Sequence, residues 1–512
     1  MIEKREKLLV ASAKLLRNRF RIDARTSSTV EAIDRTKQLV RIREQATGRV
    51  YEETYDQLIL APGAIPQRPG VPGDDSPRLF TLRNLDDMDQ IESILATGVQ
   101  HAIVVGGGFI GIELTENLVH RGVQVTLIQR GSQLLSPMDP EMTQPLLERM
   151  REQGVTVYLN EKLRSMDTTA DGVVAWLESG RAISAGVVLC GIGVVPESTL
   201  AMDAGLETGL RHAVCVDERQ RTSDPHIFAV GDVTEVSDFV LQDFSESPSY
   251  VPLAGPANRQ GRLASDAICG REMHLNEPGI RYRGTQGTLI VGCFGLTAAA
   301  TGASEKSLKR KDIAYRKVYI HPTDHAGYYP NAQSMTLKLL FEPRSGRILG
   351  AQGVGSTGID KRIDVLSMAI QAKMTVFDLE ESELCYAPQY GSAKDPINML
   401  GFVASGLLRG YHPQIDAESL PTPEQIASDS SVPMILDVRT PSEFAAGAIP
   451  GAVLIPVDEL RDRLGELPRN RPIAVYCKVG MRGYIALRIL LQHGFDAVNI
   501  GGGWTTWRMH QK

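Results

Sequence analysis

Between His101 and Gln129 the chain runs through an apolar stretch (HAIVV, 101–105), a glycine-rich turn, a helically spaced segment from Ile110 to Arg121, and a second apolar stretch (VQVTLIQ, 123–129). Strand, turn, helix and strand make a βαβ unit, which commits this part of the chain to a parallel α/β sheet. The turn is Gly-x-Gly-x-x-Gly, with glycines at Gly106, Gly108 and Gly111. The first permits the tight turn, the second lets a pyrophosphate approach the backbone, and the third lets helix pack on strand. The helix N-terminus is left to face the phosphates, so a dinucleotide site is expected here. The position about 20 residues on that usually carries a ribose-binding acid holds Gln129, followed by Arg130. A neutral residue beside a cation suits a 2′-phosphate. NADPH is favoured over NADH, and both remain open.

At 512 residues the chain is long enough for roughly three to four domains. Its 55 Lys and Arg against 61 Asp and Glu give a net charge of −6, with mixed signs throughout. That excludes a nucleic-acid or membrane-surface footprint. The start, MIEKREKLLVASAKLL, reads as a short amphipathic helix rather than a signal peptide. The longest apolar stretch, Ile397 to Leu408, is interrupted by Gly401 and Gly406 and is too short for a membrane span. The six cysteines, Cys190, Cys215, Cys269, Cys293, Cys385 and Cys477, show no metal-ligand spacing. No metal is expected, a cytoplasmic location is, and all but Cys477 read as core residues.

Other signals mark the organisation. LILAPGAIPQRPGVPG (58–73) is a strand closing on a turn cluster, and TSDPHIFAVGD (222–232) ends a strand at Gly231 and Asp232. Asp139, Pro140 and Gly154 bracket a helix as N-cap, first-turn proline and terminal glycine. Alternation over Thr336–Phe341 and Arg347–Gly353 indicates an antiparallel α+β unit, and Tyr411–Pro433 reads as a linker. Beyond it, MILDVR, AVLIP, PIAVYC and AVNIG alternate with helices. Cys477-Lys-Val-Gly-Met-Arg482 follows the strand PIAVYC and precedes a helix opening at Gly483. A thiol at such a junction faces backbone amides and a helix dipole, which stabilise an anionic sulfur.

These strings together resemble the pyridine nucleotide-disulfide oxidoreductases, which are FAD-dependent. The resemblance implies that Gly231 and Asp232 hold the flavin's ribityl chain, and that the helix near Leu253 to Cys269, beginning around Ala254, aims its positive end at the flavin ring. Gly193, after the strand VVLC, joins the cofactor-binding set. HAGYYPNAQ (325–333), GIDKRIDVLSMAI (358–370) and LCYAPQYGSAKDPINMLG (384–401) resemble the interface domain of coenzyme A-disulfide, persulfide and polysulfide reductases. By position that implies a catalytic tyrosine pair at Tyr329 and Tyr386, with Tyr328, Tyr390, Lys361 and Arg362 as CoA-binding residues and a homodimer as the assembly. The other reading of each tyrosine is a ring packed in a dimer interface. The C-terminal region resembles a rhodanese domain through LDVR, EFAAGAIPGAVLIP, the Cys477 loop and GGGW. Its C-x4-R spacing encloses a sulfur, and Cys477 and Arg482 become its catalytic residues. Ala448 stands where that family usually has His.

The implied domains are a remnant of an FAD-binding domain (1–98), an NAD(P)H-binding domain (99–215), a second FAD-binding segment (216–276), an interface domain (277–410), the linker (411–433) and the rhodanese domain (434–512). The family's opening GxGxxG and redox cysteine are expected upstream of Met1. Two functions follow. One is an NAD(P)H oxidoreductase acting on CoA disulfide, CoA persulfide or polysulfide, with a fused sulfurtransferase. The other is a sulfurtransferase, taking inorganic sulfane sulfur, carried on a non-catalytic reductase scaffold.

Overall fold

A computed structural model of the chain describes residues 5–270, 281–429 and 431–511. The chain divides into two compact units, one of residues 1–65, 194–237 and 248–285, the other of residues 66–193, 238–247 and 286–512. The expected boundary near 276 lies outside the described residues.

In the first unit the amino-terminal helix Ala13–Phe20 is capped by Ser12. An antiparallel sheet of Ser28–Asp34, Leu39–Glu44 and Val50–Thr54 follows. Leu58–Leu60 pairs in parallel with Ile227–Ala229, and the chain then turns through Gly231–Val233. The helix Ala254–Ile268 has Leu253 at its N-cap and no side chain capping it.

In the second unit the βαβ pattern becomes a five-stranded parallel sheet in the order Leu79–Thr81, Val187–Cys190, His101–Val105, Gln124–Gln129, Thr156–Leu159. The sheet takes in a strand well before residue 99, and the chain leaves this unit after Gly193. The expected limits 99–215 are therefore shifted toward the N-terminus. Strand Leu79–Thr81 is too short to carry a periodic signal.

The antiparallel sheet beyond residue 286 has the order Leu289–Cys293, Leu296–Gly302, Ile348–Gly355, Met335–Phe341, Arg316–Ile320. Met335–Phe341 is buried at every position, not alternately. Both faces are covered: Leu337 and Leu339 join the core with Ile363, Leu366 and Leu400, whereas Ala298, Ala300 and Val354 join Met142 and Leu146 of the dinucleotide domain. An alternating pattern needs one wet face, which the inner strands Met335–Phe341 and Ile348–Gly355 lack, whereas the edge strand Leu289–Cys293 alternates, with Ile290 exposed.

The C-terminal sheet is parallel, in the order Gln414–Ile415, Ala497–Ile500, Ile473–Tyr476, Met434–Asp437, Val453–Leu454. Gln414–Ile415 comes from the segment read as a linker. Gln414 pairs with Asn499 and Ile415 with Ile500, and Ile426, also from that segment, is buried in the core of this domain. Its polar composition reflects an edge strand and short caps, so Tyr411–Pro433 is part of the domain rather than a tether.

Candidate functional site

The dinucleotide turn has the geometry its glycines imply. Gly106 sits at φ +108°, and a Cβ there would lie 2.4 Å from the Gly191 carbonyl. A Cβ on Gly111 would lie 1.8 Å from the Gly106 carbonyl. Around Gly108 there is open space, and this residue is the N-cap of the helix Phe109–His120. The turn therefore fits a pyrophosphate. Gly193, φ +110°, follows the neighbouring strand in the loop that closes on Gly106, and its carbonyl accepts from Gln67. Gln129 departs from the role read for it. Its Oε1 accepts from the Gly107 N–H at 2.9 Å and its Nε2 donates to the Gln133 carbonyl at 3.2 Å, so the side chain braces the turn rather than reaching outward. Arg130 is exposed.

In the first unit, Gly231 has φ +78° and its N–H donates to Gln260 Oε1 at 2.6 Å. Asp232 is half-buried, and burial pushes its carboxyl above the ordinary range. Burial, and then Asp232, push Tyr250 up to about 12, and its buried hydroxyl has no hydrogen-bond partner. A half-buried acid, an orphaned phenol and the uncapped amino end at Ala254 are a donor and acceptor set that fits a polar cofactor such as FAD.

The interface residues separate into two groups. Tyr328, Tyr329, Tyr386 and Tyr390 are all exposed. The hydroxyl within reach of Tyr386 is that of Tyr328, at 3.5 Å; Tyr329 instead packs edge-on against His325, with ring centroids 5.9 Å apart. Tyr328 thus stands beside Tyr386, and Tyr329, the residue expected to act with Tyr386, faces His325 in the turn that starts at Ala326. Arg362 does not offer itself to phosphates. It is fully buried, donating to Asp395 at 2.9 Å and to the Asp324 and Gly358 carbonyls at 2.7 and 3.3 Å. Its neighbour Lys361 is partly exposed and 3.8 Å from Asp395. One step along a helix separates a structural cation from an accessible one.

Cys477 follows the strand Ile473–Tyr476 and is buried. Its Sγ accepts from the Gly480 N–H at 3.2 Å. Gly480 has φ +107° and is the N-cap of a helix that opens at Met481, two residues earlier than expected. Arg482 is held by Glu443 through two hydrogen bonds of 2.8 and 2.7 Å. The Arg482 guanidinium in turn lowers the Glu443 carboxyl to about 2. Where a histidine is absent at Ala448, the turn is held by Arg439, which donates to the Gly447 carbonyl at 2.7 Å, and by the Tyr476 hydroxyl, which accepts from the Ile449 N–H at 3.1 Å.

Several residues at this site escape sequence reasoning. Glu443 gives its place away only as the last member of the capping box Thr440-x-x-Glu443. Asn499 Nδ2 lies 2.9 Å from His412 Nε2 and 3.4 Å from the Gly480 carbonyl. A Cβ at Gly483 would meet Asn499 Oδ1 at 2.4 Å, which explains glycine there. Of the cysteines read as core, Cys190 and Cys293 are buried but Cys269 and Cys385 are exposed. Cys269 caps a helix and Cys385 lies in irregular chain, settings that apolar neighbours in sequence do not reveal.

Asp139, Glu141 and Glu305 bring carboxylate oxygens within 4.8 Å of one another, an arrangement able to hold a cation. The cation there is Lys338, whose Nζ bonds all three. Asp139 is the helix N-cap by position, but its side chain is drawn to Lys338 and Gln352 instead of capping.

The family model of pyridine nucleotide-disulphide oxidoreductases matches residues 2–261, its dimerisation domain residues 290–395, and the rhodanese-like domain residues 422–510. The coenzyme A disulfide reductase of Staphylococcus aureus (strain bovine RF122 / ET3-1) is 34% identical over 405 residues, 79% of this chain and 88% of that one. The crystal structure of reduced Bacillus anthracis CoADR-RHD matches with a TM-score of 0.94 at 42% identity, over 99% of this chain and 88% of that one. The NAD-dependent persulfide reductase from A. fulgidus matches with a TM-score of 0.89 at 34% identity, over 99% of this chain and 90% of that one. A dinucleotide turn, a dimerisation sheet and a sulfur loop in this order, matched along their length, place the chain in the pyridine nucleotide-disulphide oxidoreductase family, with a rhodanese-like domain at its C-terminal end.

Proposed function

We propose that the protein is an FAD-dependent NAD(P)H oxidoreductase that reduces CoA persulfide, CoA disulfide or polysulfide, joined to a rhodanese-type sulfurtransferase and working as a cytoplasmic homodimer. The observation that carries this reading is Cys477, held with a backbone donor at its sulfur in the chain that also builds the dinucleotide turn. The match to a dimerisation domain supports the assembly. Among the described residues no helix is long and apolar enough to cross a membrane.

In the transfer step the Cys477 thiolate attacks the outer sulfur of a sulfane donor. The donor's S–S bond breaks, its electron pair leaves with sulfite or a thiol, and Cys477 keeps the sulfur as a persulfide. In the reductive step a CoA persulfide takes a hydride equivalent and a proton to give CoA thiol and hydrogen sulfide, while NAD(P)H becomes NAD(P)+. Bound FAD supplies two-electron chemistry between nicotinamide and sulfur. Gly106 to Gly111 hold the pyrophosphate, with Arg130 at the adenosine end. Gly231, Asp232 and the helix at Ala254 hold the flavin. Tyr328, Tyr390 and Lys361 hold the CoA substrate, with Tyr329 and Tyr386 as the catalytic pair beside it. A rhodanese partner, whose own product is a persulfide, favours the persulfide among the three substrates.

The test is NAD(P)H oxidation with CoA persulfide, CoA disulfide and inorganic polysulfide in turn, with sulfide measured in parallel. One sulfide per NAD(P)H with CoA persulfide is the expected result. No oxidation with any of the three, alongside intact sulfur transfer by Cys477, would leave the sulfurtransferase on a reductase scaffold.

A further inference from the structure

The C-terminal helix Gly503–His510 touches both the sulfur loop and the reductase sheet. At its amino end the Trp504 N–H donates to the Cys477 carbonyl at 2.8 Å. The Thr505 N–H and Oγ1 both donate to the Lys478 carbonyl, each at 3.0 Å. The approach is close enough to require glycine: Gly503 has φ +62°, and a Cβ there would lie 2.3 Å from the Cys477 carbonyl oxygen. The first two carbonyls of the loop are thereby drawn to the helix end. A carbonyl oxygen turned toward an anionic sulfur would repel it, whereas the Gly480 N–H, at 3.2 Å from Sγ, attracts it.

The same helix packs on the helix Pro140–Glu152 and reaches the end of the Arg316–Ile320 strand. Buried Thr506 Oγ1 hydrogen-bonds His321 Nε2 at 2.8 Å, and His321 Nδ1 bonds Thr336 Oγ1 at 2.9 Å. The His510 ring packs edge-on against Tyr319. Met509 joins the apolar core of the dinucleotide domain. A helix that bonds the loop through Trp504 and Thr505 and the reductase through Thr506, Met509 and His510 couples the position of the loop to the reductase.

We propose that Thr505 and Thr506 are positioning residues for sulfur transfer at Cys477, Thr505 by holding the Lys478 carbonyl away from the sulfur and Thr506 by fixing the helix to His321 of the reductase. This rests on the reading of Cys477 as the sulfur acceptor. The charged groups beside the loop, Arg482 with Glu443 and Arg439 with Asp437, are tied to each other and not to these threonines.

The experiment uses the full chain, with thiosulfate as donor and cyanide as acceptor. Two readouts are taken: kcat and KM for thiosulfate, and the rate at which iodoacetamide labels the Cys477 peptide, followed by mass spectrometry. Thr505→Val should lower kcat and labelling about tenfold with KM changed less than about twofold, since misplacing a reacting group costs turnover more than binding. Thr505→Ser, which keeps the hydroxyl, should restore both. Thr506→Val and His321→Leu should each lower both rates, and the double variant should lose no more than the worse single, the signature of one shared contact. Unchanged kcat and labelling in Thr505→Val overturns the proposal. So does a Thr505→Ser variant as impaired as Thr505→Val, which would make the position one of packing alone; this comparison also holds if the valine variant folds poorly. Transfer that survives Cys477→Ser would refute the acceptor reading separately, because the labelling rates report on loop position without it.

Discussion

Lys338 lies 2.7 Å from Asp139, an ammonium and a carboxylate nearly 200 positions apart in sequence and both shut off from solvent. Glu141 and Glu305 complete the cluster at 2.5 Å each. Burial alone would lower the Lys338 pKa, and the carboxylates of Glu141, Asp139 and Glu305 outweigh it and hold it raised. Glu305 also reaches Lys317, which bonds Glu418 of the C-terminal domain. The charges of three domains thus meet at one point. Lys338→Met keeps the volume but leaves three buried acids facing one another. It should cost about 3–5 kcal/mol, the usual result of breaking a buried pair from one side. Thermal unfolding followed by circular dichroism reads this directly; a melting temperature equal to the parent's would show that the cluster is dispensable.

On the nicotinamide cofactor, Arg130 is exposed and Gln129 is engaged by the turn. NADPH should bind at least as tightly as NADH, and Arg130→Glu should reverse the order by exchanging attraction for repulsion at a 2′-phosphate. Fluorescence titration of both nucleotides decides it, and a parent with strong NADH preference that the substitution leaves unchanged would contradict the assignment.

At the sulfur loop, Cys477→Ser should abolish thiosulfate sulfurtransferase activity, and Arg482→Ala should lower it about tenfold or more by removing the fork that closes the loop. Glu443, lowered to about 2 by the Arg482 guanidinium, gains its pairing above the ordinary value of 4.5 and loses it as pH falls toward 2. Arg482 should therefore stay clamped at pH 5. Glu443→Gln, which weakens the clamp, should raise KM for thiosulfate at pH 7, and an unchanged KM would remove Glu443 from the site.

Burial pushes His321 down to about 4, and burial together with Arg488 does the same for His412. Both are neutral when folded at neutral pH, whereas the unfolded chain protonates them below about 6.5. Between pH 6.5 and 4 the unfolded state binds more protons, so stability falls as pH falls, by about 3 kcal/mol for each histidine across the window. Melting temperatures at pH 7.5 and pH 5 should differ in the parent, and the difference should shrink in His321→Gln.

In the first unit, the half-buried Asp232 should be a flavin contact. Asp232→Ala should lower the flavin content of the purified protein at unchanged protein yield, read from the ratio of visible to ultraviolet absorbance. Equal flavin content would assign Asp232 to the turn alone.

The sequence by itself determined those parts of the protein whose chemistry is local. The turn from Gly106 to Gly111 and the loop from Cys477 to Arg482 each lie within six consecutive residues between a strand and a helix. Backbone geometry over so short a span follows from glycine positions and apolar periodicity, so the shapes of both turns, and the α/β class with them, could be read before any contact was known. Even there the side chain of Gln129 could not, because Gly107 and Gln133 claim it only once the turn has closed. Tertiary structure decided what depends on distant partners. Arg362 and Lys361 are adjacent and alike in charge, and only the packing of their helix against Asp324 and Asp395 buries one and leaves the other accessible. Tyr328 rather than Tyr329 meets Tyr386 because a turn sets the side each ring takes. The polar segment after Tyr411 became an edge strand because Gln414 and Ile415 found partners at Asn499 and Ile500. Lys338, in the middle of a strand, gives no sign in its neighbours of the three acids that surround it. Such pairings are chosen when sheets and helices pack, by the cost of leaving a charge or a backbone amide unsatisfied in the interior, and that cost is set by residues far away along the chain.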